Sequence, residues 1–92
     1  MDVQDAEDRA LIAQHRDEPT ISHAGLKRIL AGESPVTVWR EEQGLTQRAL
    51  AERAGVAPSM IHAVEKGTKS PSLETARRIA EALGIGLDDL FG

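Results

Sequence analysis

The chain has 92 residues, with eleven Lys/Arg against fifteen Asp/Glu, a formal net charge of −4 and no cysteine. That length suits one small domain with a short appendage, whose limited core makes dimerisation an expected source of stability. The missing cysteine excludes disulfides and thiolate metal sites and fits a reducing cytoplasm. No apolar run approaches the roughly 20 residues that span a bilayer, and the acidic start MDVQDAEDRA does not read as a signal peptide.

Taken in chain order, residues 1–18 read as an acidic helix with a weak apolar stripe (Ala6, Ala10, Leu11, Ala13), broken at Asp17-Glu18-Pro19 because a residue before proline is pushed out of the helical region. Residues 20–33 read as a second short helix. Ser22 is its expected N-cap and Ile21 with Leu26 its hydrophobic staple. Leu26, Ile29 and Leu30 form its stripe. Gly25 weakens it by about 1 kcal/mol relative to alanine, and Gly32 ends it. These two elements make an acidic N-terminal extension over 1–34, followed by a main domain over 35–92.

Ser34-Pro35 opens the main domain as an N-cap and a first-turn proline. Five helices are predicted there, near 35–43, 46–54, 58–66, 72–83 and 87–91. Thr46 and Ser72 are cap residues for the second and fourth. Gly55 is positioned to end the second in a left-handed turn, and Gly67 stops the third. Asp88 and Asp89 place negative charge in the first turn of the fifth. Val36-Thr37-Val38 is the nearest approach to a strand, and its flanks favour a helix. The fold class is therefore all-α. The expected core is Val36, Trp39, Leu45, Leu50, Ala54, Val56, Ile61, Val64, Leu73, Ala76, Ile79, Ala80 and Leu83.

The acidic balance argues at first against nucleic acid. Residues 1–34, however, carry four Lys/Arg against seven Asp/Glu, whereas 44–71 carry four (Arg48, Arg53, Lys66, Lys69) against two (Glu52, Glu65). The acid lies away from the segment with the most distinctive pattern.

That segment is GLTQRALAERAGVAPSMIHAVEKG, residues 44–67. Its LTQ (45–47), LA pair (50–51), AGV turn (54–56), Ser59, Ile61 and the Glu65-x-Gly67 ending resemble the helix-turn-helix of the Xre/Cro-like phage-repressor family. The likeness extends through VWREEQG (38–44) and PSLETARRIAEALGIGLDDLF (71–91). It implies a five-helix phage-repressor-like domain that binds double-stranded DNA at an inverted-repeat operator as a homodimer, with the second helix of the motif in the major groove.

Carried onto this chain, the reading face is Ala57, Pro58, Ser59, His62 and Ala63. Ser59 and His62 are either base or backbone contacts or plain exposed surface. Where many members carry a polar cap and a glutamine, this chain has Ala57 and Pro58. Loss of a bidentate adenine reader shifts weight to phosphate contacts and DNA shape. Thr46 and Gln47 open the first helix of the motif, where the family clamps a phosphate; the alternative for Gln47 is a favourable first-turn residue. Arg48, Lys66, Thr68, Lys69 and Ser70 flank the same edge. Arg40 and Glu65 match an ion pair of structural role.

Ile85, Leu87, Leu90 and Phe91 are assigned to a dimer interface, the alternative being that they fold back onto the domain. A compact domain of this kind with a short extra segment is most like the HigA-type antitoxins of toxin–antitoxin operons. This resemblance implies a small basic toxin as partner, held through the acidic charges and through Leu11, Ile12, Leu26, Ile29 and Leu30. The alternatives are a solvated tail on a stand-alone Xre-type regulator (prophage or restriction-controller type) or a protein-interaction module. His15, His23 and His62 are scattered and no catalytic constellation or dinucleotide signature appears, so neither enzyme, cofactor nor metal site is expected.

Overall fold

The computed structural model describes residues 19–91. The helix predicted over 1–18, with Leu11 and Ile12, lies outside them. The described residues form six helices and no strand: α1 (His23–Leu30), α2 (Pro35–Glu42), α3 (Gln47–Ala54), α4 (Pro58–Lys66), α5 (Leu73–Leu83) and α6 (Leu87–Phe91). The five predicted for the main domain recur as α2 to α6 to within about one residue at each end. The bundle is nevertheless six-membered, because α1 packs on α2.

Local chemistry explains the boundaries. The Thr46 hydroxyl accepts the Ala49 N–H at 3.0 Å and starts α3. The Ser72 hydroxyl accepts the Thr75 N–H at 3.2 Å and starts α5. Ser22 does the same for α1 through the Gly25 N–H at 2.9 Å. Ser34 sits at the N-cap of α2, but its side chain makes no capping hydrogen bond; Pro35 at the first position starts the helix by fixing φ. Gly55 (φ +69°) and Gly67 (φ +76°) end α3 and α4 in the left-handed region that other residues enter only with strain.

The core joins one face from each helix. Leu50 of α3, Ile61 of α4 and Ile79 of α5 are fully buried, with Val36, Trp39 and Leu83 around them. Each large aliphatic contributes about 1.5–3 kcal/mol by leaving water. α3 rests on α4 and α5, while α2 is flanked by α1, α4 and α6.

Several sequence expectations need correction. Leu73 is 74% exposed, although its spacing from Ala76 and Ala80 suggested core; as the first residue of α5 it extends beyond the helices that cover the rest of that stripe. Ile85 and Leu90, assigned to an interface, are buried within this chain's own core, because α6 folds back onto α2. Leu26, assigned to a staple, stays 43% exposed, and only Ile21 of that pair packs against the core.

Gly25 is not a mere weakness in α1. It is buried, and a Cβ there would meet Ile21 Cγ1 at 2.8 Å and the Glu42 carboxyl carbon at 3.1 Å. The glycine lets α1 approach α2, where the Ser22 N–H and hydroxyl donate to Glu42 at 2.7 and 2.9 Å. Arg28 donates to Glu33 and, at 2.6 Å, to Glu41.

Candidate nucleic-acid interface

The helix–turn–helix spans α3, the turn at Gly55 and Val56, and α4. Its interior side is apolar: Leu50, Ala51, Ala54, Ile61 and Val64 are buried. On the outside, Ala57, Pro58, Ser59 and His62 are exposed and Ala63 is half-buried. The structure thus brings the predicted reading residues together on the first turns of α4, which begins with no side-chain cap at Ala57. Arg48, Lys66, Thr68, Lys69 and Ser70 are also exposed. Of the cations, Lys66 and Lys69 have no ion-pair partner among the described residues, and Arg48 has only a loose one, Glu52 at 3.8 Å. The Thr68 hydroxyl donates to the Ala63 carbonyl at 3.3 Å. Thr46 is exposed, its hydroxyl occupied as the α3 cap.

One buried carboxylate ties α4, packed through Ile61 and Val64, to α2 and α3. Arg40 on α2 donates through Nε to Glu65 Oε2 at 2.7 Å and through Nη2 to Oε1 at 3.0 Å. Its third nitrogen, Nη1, donates to the Leu45 carbonyl at 2.8 Å, in the link between α2 and α3. The Thr37 hydroxyl and the Gln47 amide also donate to Glu65 Oε1, at 2.8 and 3.1 Å. Three helices are therefore fastened at Glu65, whose side chain is 5% exposed. Burial opposes its ionisation, but the donors Arg40, Gln47 and Thr37 outweigh it and hold the carboxyl below the usual range. The hydrogen bonds to Glu65 in turn raise the Arg40 pKa. No buried side-chain polar atom among the described residues lacks a partner.

Two of these contacts were not part of the sequence reading. The Gln47 amide nitrogen, at the start of α3, donates to Glu65. Thr37 carries no signal of its own in the sequence, although it lies three residues before Arg40 on the same face of α2, where both donors can reach one acceptor. Among the described residues no His/Asp/Glu group could hold a metal ion, and no helix is long and apolar enough to cross a membrane.

Comparison with known proteins agrees with this geometry. The chain matches the helix-turn-helix family over residues 39–90, more than half its length, and belongs to that family. It is 57% identical over 53 residues to an HTH-type transcriptional regulator of Methanothermobacter thermautotrophicus, a match covering 56% of this chain and 77% of that protein. An HTH-type regulator of Archaeoglobus fulgidus is 40% identical over 53 residues, covering 58% of this chain and 76% of that one. The immunity repressor protein of Bacillus phage phi105 is also 40% identical over 53 residues, covering 58% of this chain but 37% of its own. Helix α1 lies before the family match.

Proposed function

We propose that the protein is a DNA-binding transcriptional repressor that acts as a homodimer on an inverted repeat, with α4 of each copy in successive major grooves about 34 Å apart. The observation that carries this reading is the exposed surface of Ala57, Pro58, Ser59 and His62 on a helix whose angle to α2 and α3 is held at Glu65. Ser59 and His62 supply polar groups for base edges or phosphates, and Ala57 and Ala63 supply methyl groups for thymine. Arg48, Lys69 and the start of α3 supply phosphate contacts. The few cations make that attraction modest, so two copies are needed for tight binding.

The test is a salt-varied mobility shift on the DNA upstream of the coding sequence, alongside a random-duplex selection. A retarded band that weakens as salt rises, and that is lost in the Ser59→Ala/His62→Ala double variant, is expected. No retardation of any duplex at low salt would sink the reading.

A second role, antitoxin of a small basic toxin, is favoured by one observation: α1 precedes the family match and leaves Leu26 and Leu30 exposed on one side, four residues apart. Together with the acidic residues before Pro19, these are anchors for such a partner; Ile29 is partly buried against the core and is not. Co-expression with a basic protein encoded next to this one tests the role. Failure of the two to co-purify leaves a stand-alone regulator.

A further inference from the structure

From Ala57 to Val64 the chain runs APSMIHAV, without one Arg, Lys, Asn, Gln, Asp or Glu. Those are the side chains whose hydrogen bonds discriminate bases most strongly. Ile61 and Val64 are buried, and Met60 packs against the core. The outer side of these turns is therefore small and apolar at Ala57, Pro58 and the half-buried Ala63, beside two polar side chains, Ser59 and His62. Pro58 has no N–H to offer, and Ala57 at the cap position has no side-chain oxygen. Longer cationic groups stand only at the borders, with Arg48 on α3 and Lys69 in the loop after α4.

We propose that this face reads the C5-methyl group of pyrimidines: it recognises thymine by its methyl, and it binds 5-methylcytosine better than cytosine. The inference rests on the DNA-binding reading above and deepens it by naming what α4 recognises. The C5-methyl is the one apolar group that a base pair presents in the major groove. An alanine or proline pressed on any other part of the edge strips water from a donor or acceptor and returns no hydrogen bond. Pressed on a methyl, it gains contact at no such cost. The short side chains also let the helix settle close to the groove floor, which matters because attraction between methyl groups acts only near contact. Ser59 and His62 add hydrogen bonds beside these contacts, and the cations at the borders meet phosphates. A methyl buried in this way is worth about fourfold in affinity, and a dimer on an inverted repeat makes each contact twice, about fifteenfold in all.

The experiment uses the full chain and the duplex recovered by random selection. Symmetric pairs of thymines are replaced in turn by deoxyuridine, which keeps the base pairing and removes only the methyl. At least one pair should weaken binding by about fifteenfold. Cytosine at the same positions should weaken it at least as much, and 5-methylcytosine should recover severalfold of that loss. Ala57→Ser and Ala63→Ser, each checked for unchanged helicity, separate contact from DNA shape. The first adds a favourable N-cap, so α4 is retained. At least one of the two should bind the thymine and uracil duplexes alike at the position that discriminates in the wild type.

A site with every thymine replaced by uracil, bound as tightly as the original, overturns the methyl reading and keeps DNA binding. A uracil effect unchanged in both serine variants overturns it too, since the effect then comes from DNA shape. So does 5-methylcytosine that binds no better than cytosine at every position. No retardation of any duplex at low salt overturns the DNA-binding reading, and this inference with it.

Discussion

Two regions of this molecule fasten a helix to α2 with a carboxylate, and they do so under different physics. At Glu65 the acceptor is buried, the donors come from α2 and α3, and the helix being held is the proposed reading helix. At Glu42 and Glu41 the acceptors are exposed, the donors are Ser22 and Arg28, and the helix being held is α1, outside the family match. A buried ion pair with all its partners in place fixes geometry more than it adds stability, and becomes costly only when one side is removed. A solvated pair is screened and weak throughout. The contrast is that α1 is held mainly by shape, at Gly25, Ile21 and Ile29, whereas α4 adds a buried ion-pair network to its packing through Ile61 and Val64.

The largest expected effect follows from removing the buried acceptor. Glu65→Ala leaves the Arg40 guanidinium, on a side chain 11% exposed, without its counter-charge. It should cost about 3 kcal/mol of stability, measured by urea unfolding. Glu65→Gln, which keeps an acceptor oxygen, should cost less. If Glu65→Ala unfolds like the wild type, the network is ornament and α4 is positioned by packing alone.

Gly25→Ala is the corresponding break at α1. Helix propensity favours alanine by about 1 kcal/mol, but the added Cβ falls 2.8 Å from Ile21 Cγ1. Overpacking of that kind costs about 1–3 kcal/mol, so the net result should be a loosened α1. Hydrogen exchange should quicken across His23–Leu30 while α3 and α4 keep their protection. Uniform quickening across the chain would mean that α1 is as integral as the rest of the bundle.

These two sites also mark how far the sequence could be read. Capping residues and left-handed glycines act within a turn, so the helix boundaries were legible from Thr46, Ser72, Gly55 and Gly67. The Arg40–Glu65 pair was legible only through the family resemblance. What stayed hidden depends on contacts distant along the chain. Gly25 read as a weak spot because its reason lies on Glu42. Gln43, whose amide donates to the Leu83 carbonyl 40 residues away at 2.7 Å, gave no local signal. Ile85 and Leu90 looked surplus until α6 was seen to return to α2, and Leu73 looked core because helical spacing does not say where the covering helix stops.

Acid should separate the two regions by variant. Glu65 and Glu42 both have pKa values lowered from the ordinary 4.5, Glu65 by its donors against burial and Glu42 by the Ser22 N–H and hydroxyl. A lowered folded-state pKa means that the contribution is complete above the unfolded value and is lost as pH falls through the folded one. Stability should thus be flat near neutrality and decline below about pH 4.5. Glu65→Gln should flatten the part of that decline seen in global unfolding. Glu42→Gln should flatten only the part seen in α1 exchange. Identical effects of both variants on the global curve would erase the distinction between the regions.

The smallest effect belongs to Arg28. Its guanidinium bridges Glu33 at 2.9 Å and Glu41 at 2.6 Å, the latter the shortest side-chain hydrogen bond among the described residues, and geometry alone would rank it among the strongest contacts of α1. Solvation argues otherwise. The three side chains are 35–46% exposed, and water competes for every bond they make. Arg28→Ala should leave the urea midpoint unmoved and the exchange of α1 close to wild type. Raising the salt to 1 M, where screening reaches about 3 Å, should do equally little. Should Arg28→Ala free α1 as fully as Gly25→Ala does, the helix is held by charge after all, and the two regions differ in burial but not in kind.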